Sequence, residues 1–158
     1  MLILERIHFL SRADKLKPVR DAVRSLAQRA GCSNENIDCM VMAINEACMN
    51  VIQHAYGVKE DGEVILEFWK DDMDMVIRIH DFADKVDRDR IKSRSLDDIR
   101  PGGLGVHMIT NVMDSVEYLD GVDGVGNLLQ MRKRIGEIKQ CNTDNNSDNE
   151  GDIKNEIS

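Results

Sequence analysis

No run of apolar residues in this 158-residue sequence approaches the roughly 20 that a membrane-crossing helix needs. The start is not a signal-peptide h-region either, because Glu5, Arg6 and His8 interrupt Met1 to Leu10, and the expected compartment is the cytoplasm. There is no C-x-x-C pair and no histidine cluster at zinc spacing. Cys32, Cys39, Cys48 and Cys141 are therefore expected to be reduced, structural thiols. Basic residues are not in excess. With 29 acidic and 21 basic side chains the formal charge is −8, which repels nucleic acid and anionic membranes. The glycine-rich stretch lacks the Lys-Ser/Thr of a P-loop, and no G-x-G-x-x-G follows a strand as in a dinucleotide fold.

What is present reads as one globular domain. A 42% hydrophobic and 32% charged composition at this length supports a core without disulfide or metal staples. Residues 136–158 differ: six acids against two bases and few apolar side chains give this segment half of the net charge. It cannot bury enough surface to offset its ordering entropy, so a disordered acidic tail is expected, with docking or plain solvation as its role. The folded part is then 1–135.

Within it, Leu2 to Phe9 reads as an edge strand. Lys17 to Ala30 reads as a helix with Pro18 in its first turn, ended by Gly31. Ser33 caps a second helix running to about Ala55. Glu63 to Lys70 and Met75 to His80 form a hairpin. A long charged loop from Asp84 to Gly103 follows, with a short helix at Asp89 to Arg94. A helix from Leu104 to Met113 and strands at Ser115 to Leu119 and Asn127 to Ile135 complete the order. Hairpins dominate, which predicts an α+β two-layer sandwich with a mixed, mostly antiparallel sheet and helices on one face.

Four features carry chemistry. On the second helix, Ile37, Met40, Val41, Ile44, Cys48, Val51 and Ala55 share one face, and Glu46, Asn50 and Gln53 fall opposite. Glu46 and Asn50 are neighbours at i and i+4. A carboxylate beside a carboxamide supplies oxygen ligands for Mg²⁺ and a general base, or is simply a solvated polar face. Met42, Ala43, Ala47 and Met49 around the pair favour a pocket floor. Pro101-Gly102-Gly103-Leu104-Gly105-Val106 opens a helix, and bare amides there suit phosphate. Asp81 ends a strand, where it either accepts from a base or ribose or starts a turn. The loop from Phe82 to Arg100 carries Lys85, Arg88, Arg90, Lys92, Arg94 and Arg100, which read as a basic lid or as a surface paired with its own aspartates.

Taken in order, these motifs resemble the GHKL ATPases. Glu46-Ala47-Cys48-Met49-Asn50-Val51-Ile52-Gln53-His54-Ala55-Tyr56 looks like their N box. Asp81-Phe82-Ala83 sits at the D-x-G box, with Ala83 in place of the glycine. Gly102-Gly103-Leu104-Gly105-Val106-His107-Met108-Ile109 looks like the next glycine box. The pattern E-A-x-x-N-x-x-x-H-A-Y with a short span to G-G-L-G is that of the small anti-sigma-factor serine/threonine kinases of partner-switching systems, and the resemblance covers roughly residues 10–135. It implies a GHKL-type domain over 1–135 that uses ATP and Mg²⁺. Glu46 would be the general base and Asn50 the Mg²⁺ ligand. Asp81 would accept from the adenine amino group, with Ala83 beside it. Gly102, Gly103, Leu104, Gly105 and Val106 would hold phosphates, and the segment from Asp84 to Arg100 would be the ATP lid. The implied substrate is a serine or threonine of a STAS-type antagonist, and the implied second partner is a sigma factor or another regulated protein. Homodimerisation is usual in that family. The alternative is a sequestering switch, with or without ATP, that transfers no phosphate. No phosphoacceptor histidine motif or dimerisation helix precedes the domain, which argues against a sensor histidine kinase.

Overall fold

The computed structural model describes residues 1–85 and 103–136. The chain begins with strand β1 (Leu2–Leu10) and a short 3-10 turn, then helix α1 (Leu16–Arg29) and helix α2 (Asn34–Asn50). A π-wound turn, Val51–Tyr56, continues directly from α2. Strands β2 (Glu63–Asp71) and β3 (Asp74–Asp81) form the hairpin. Helix α3 (Gly103–Val112), β4 (Ser115–Asp120) and β5 (Asn127–Arg134) follow. The expected helix at 89–94, most of the charged loop and the tail beyond Gly136 lie outside the described residues.

The sheet runs β1-β2-β3-β5-β4, with every neighbouring pair antiparallel. The expectation of an edge strand at the start is met by β1. Its pairing with β2 carries one register irregularity between Ile3 and Glu5. Period-2 alternation builds the inner face: Val64, Leu66 and Phe68 on β2 and Met75, Ile77 and Ile79 on β3 are all buried. Helical spacing builds the opposing layer, where Leu16, Val19, Val23, Leu26 and Ala27 of α1 and Ile37, Met40, Val41 and Ile44 of α2 join the same cluster. Lys133 of β5 is also buried, and its ammonium donates to the Val112 carbonyl at the end of α3 (2.9 Å). A cation suits a helix C-terminus, where unpaired carbonyls concentrate negative potential.

Ser33 caps α2 as expected, its hydroxyl accepting from the Asn36 amide (3.3 Å). The helix does not continue in α form to Ala55, however. It widens after Asn50 and ends at Gly57, whose φ is +60°. The last residue of the wide turn, Tyr56, is tied through its hydroxyl to the Glu63 carbonyl and the Phe82 amide. These two ties fix where the helix must end, and they override its local winding preference. Cysteine expectations are met in part. Cys32 and Cys48 are free thiols, while Cys39 is disulfide-bonded. Burial pushes the Cys48 thiol up to about 12, which leaves it inert as a nucleophile. Among the described residues no helix is long and apolar enough to cross a membrane.

Candidate functional site

Helix α2 supplies one wall. Glu46 and Asn50 are both half-buried, while the flanking Ala43 and Ala47 are packed into the core. The pair therefore rises from a packed floor rather than from a fully solvated stripe. Met42 is 48% exposed, so the apolar rim expected around the pair is open on that side. Gln53 and His54, in the wide turn, are exposed. Arg20 of α1 donates to the Asn45 side chain (2.9 Å) and pins α1 to α2 beside Glu46.

The end of β3 supplies the second wall. Asp81 is only 5% exposed. Its Oδ1 accepts from the Asn127 side-chain amide (2.9 Å) and from the Ala83 backbone N–H (3.1 Å). Burial pushes its carboxyl above the ordinary aspartate range, and the Asn127 and Ala83 bonds pull partly the other way. The Ala83 bond is an Asx turn, so the turn-starting role open to Asp81 is real, and burial fixes its carboxylate at the same time. Asn127 also donates to the Asp84 carbonyl (3.1 Å). Gly126 closes this corner from behind. Its φ is +69°, and a Cβ there would lie 1.9 Å from the Asp81 carbonyl oxygen. No larger residue fits.

Ala83, at the position of the D-x-G glycine, is half-buried. The only non-glycine residues with left-handed backbone among those described are Asp72 and Asp123. Ala83 thus takes an ordinary conformation, and its methyl costs no backbone strain. The third wall is α3, which packs against α2 through the core residues Ile109 and Val112. Gly103, Leu104, Gly105 and Val106 all lie in the first turn of α3, which begins at Gly103. Val106 is half-buried. Gly102 and Arg100 lie outside the described residues.

The structure therefore joins Asp81 and Ala83 in one bonded corner and sets Glu46 one turn from Asn50. Sequence reasoning missed Asn127, Gly126 and the Tyr56 hydroxyl. Asn127 read as the start of a strand, and only the register Asp81↔Asn127 between β3 and β5 reveals its partner. Trp69 is not a core residue like Phe68 but lies on the outer sheet face, with the Arg78 guanidinium 5.4 Å from its ring centre.

Among the described residues no group of three or more His, Cys, Asp or Glu side chains forms a metal cage. The donor set still suits Mg²⁺ bound with a polyphosphate. That ion keeps several waters and takes only one or two protein oxygens, so a single Asn50 oxygen is chemically sufficient.

A five-stranded antiparallel sheet under helices, with an acid–amide pair on one helix and a buried aspartate at a strand end, is the architecture the structure shows. The chain belongs to the histidine kinase-like ATPase domain family, whose profile matches residues 9–133. Its similarity extends to individual curated proteins. It is 30% identical over 107 residues to the serine-protein kinase RsbW of Bacillus velezensis, covering 63% of this chain and 67% of that one. It is 34% identical over 107 residues to the serine-protein kinase RsbW of Halalkalibacterium halodurans, covering 63% and 65%. The chain thus spans about two thirds of the length of these relatives. The crystal structure of the RsbU and RsbW domains of Rv1364c from Mycobacterium tuberculosis shares the fold. Its TM-score is 0.61 at 15% identity, over 87% of this chain and 34% of that one.

Proposed function

We propose that this protein is an ATP-dependent serine/threonine protein kinase of the partner-switching type. In this reading it holds a sigma factor or another regulated protein, and it phosphorylates a STAS-type antagonist. The observation that carries the reading is the Glu46–Asn50 pair, half-buried above a packed floor in a histidine kinase-like ATPase fold.

The roles follow from chemistry. Asp81 accepts from the exocyclic amino group of adenine, and its fixed carboxylate rejects a base that offers an oxygen there. Asn50 would supply a side-chain oxygen to Mg²⁺. When bound, that ion neutralises charge developing on the transferred group. Amides of Gly103, Leu104, Gly105 and Val106, with Gly102 and Arg100, hold phosphate oxygens at the start of α3. Glu46 accepts the proton of the substrate hydroxyl as its oxygen bonds to the γ-phosphorus. The bond to the β,γ-bridging oxygen breaks, and ADP departs. Ala83 contributes only its backbone amide at this corner, and that bond is intact. The substitution therefore removes no group that the transfer needs.

The test is calorimetric titration with Mg·ATP, paired with phosphate transfer to a STAS-domain protein. Wild type binds ATP in preference to GTP, and Asn50→Ala weakens binding at least tenfold. Glu46→Ala retains binding but loses transfer by about 10²- to 10⁴-fold, the usual weight of a general base. Binding without any transfer by the wild type would instead support a switch that only sequesters.

A further inference from the structure

We infer that the Tyr56 hydroxyl is a positioning group that joins two of the three walls, the end of the α2 unit and the exit of β3, so that the base end is held in register with the helix bearing Glu46 and Asn50. This rests on the nucleotide-site reading above and deepens it.

The geometry is specific. Tyr56 lies six residues beyond Asn50 on one continuous helical unit. Its hydroxyl donates to the Glu63 carbonyl at the start of β2 (2.6 Å) and accepts from the Phe82 N–H just after β3 (2.8 Å). One oxygen therefore ties the end of a helix, the start of one strand and the exit of the next. Its ring has a dedicated seat at Gly62, where a Cβ would lie 2.4 Å from the ring carbon Cδ1. The π winding of Val51–Tyr56 turns this side chain to a different azimuth from an α continuation.

The opposite side of the same short segment is also held. Phe82 is bonded through its amide to Tyr56, Ala83 through its amide to Asp81, and Asp84 through its carbonyl to Asn127. Three consecutive residues are pinned by three different side chains, and Asp81 stands at their root. Phe82 itself is 44% exposed, so its side chain contributes little to holding the segment. Burial pushes the Tyr56 hydroxyl above the ordinary tyrosine range, so it keeps its proton, and with it the donor role, at neutral pH.

A tyrosine that merely packs would act through its ring. One that positions acts through its hydroxyl, and only at the base end. Tyr56→Phe separates these, because it keeps the ring on Gly62. Three readouts decide. In the ligand-free protein, the Phe82 amide should exchange with solvent at least tenfold faster than in wild type. The affinity for Mg·ATP should fall about five- to tenfold, the weight of one hydrogen bond lost at a fixed site. The affinity for Mg·tripolyphosphate, which has no base, should stay within about twofold of wild type. Equal losses for ATP and tripolyphosphate, or no loss for either, would overturn the inference. If the wild type binds no ATP, the nucleotide reading fails. The Phe82 amide then decides the brace alone, and unchanged exchange overturns it. Should Tyr56→Phe fold poorly, Gly62→Ala displaces the ring and carries its hydroxyl away from the Glu63 carbonyl and the Phe82 amide, so unchanged Phe82 exchange in that variant also overturns the brace. It should show the same split between ATP and tripolyphosphate.

Discussion

At the scale of single residues, Asp81 shows how a candidate binding group is held against the preference of the fold. Its folded pKa is raised, so the ionised form is a cost to the native state. The sign follows from linkage. The stability tied to this carboxyl is greatest below the ordinary aspartate value and declines as pH rises through the raised one. Asp81→Asn removes that titration and keeps an oxygen able to accept from Ala83 and Asn127. Its urea midpoint near pH 7 should equal or exceed that of wild type, while calorimetry shows ATP affinity reduced at least tenfold. A midpoint well below wild type would mean that the charge itself stabilises the corner.

At the scale of elements, β2 does two jobs with its two faces. The inner face packs against the helices. The outer face carries Glu67, only 6% exposed. Its carboxylate accepts from Arg6 (2.9 and 2.6 Å) and from the Trp69 indole (3.0 Å), and it lies 3.3 Å from the His80 ring nitrogen. Burial pushes this carboxyl up, but the bonds from Arg6, Trp69 and His80 outweigh it and hold it below the ordinary glutamate range. A depressed carboxylate contributes stability above its unfolded value and loses it as pH falls through the folded one. Arg6 is 60% exposed, so water screens that arm and the Trp69 and His80 arms count for more. Glu67→Gln is therefore expected to cost about 1–3 kcal/mol at neutral pH. In urea titrations that difference should shrink as pH falls through the lowered folded value, where the wild-type carboxylate also takes a proton. Nucleotide affinity should not change, because the network lies on the face away from α2.

At the scale of the whole molecule, much of the architecture was legible in the sequence and the site was legible only in part. Helix α1 and the β2–β3 hairpin announce themselves because their apolar positions repeat at 3.6 and 2 residues, and the expected ends fall within a residue or so of those seen. The wide turn after Asn50 was not legible, since α and π winding share nearly the same apolar pattern over six residues. Glu46, Asn50 and Asp81 could be singled out from the sequence as candidates, by residue type and spacing alone. Asn127 was not, because its role depends on a strand partner 46 residues away.

That separation has a consequence in time. Contacts that close short stretches of chain form sooner than those that close long ones. The α1–α2 pair and the β2–β3 hairpin, turning over Asp72 and Met73, are local. The pairing of β5 with β3 must wait for the intervening chain, and so must the clamp of Asn127 on Asp81. Pulse-labelled hydrogen exchange during refolding should show β2 and β3 amides protected ahead of those in β5, and simultaneous protection would contradict this order. During synthesis the delay is compulsory, since Asn127 is made 46 residues after Asp81. In the proposed reading, a half-made chain carries the helix that would grip the phosphates and still lacks the corner that would seat the base. The protein should therefore be unable to capture a nucleotide until nearly all of its sheet exists.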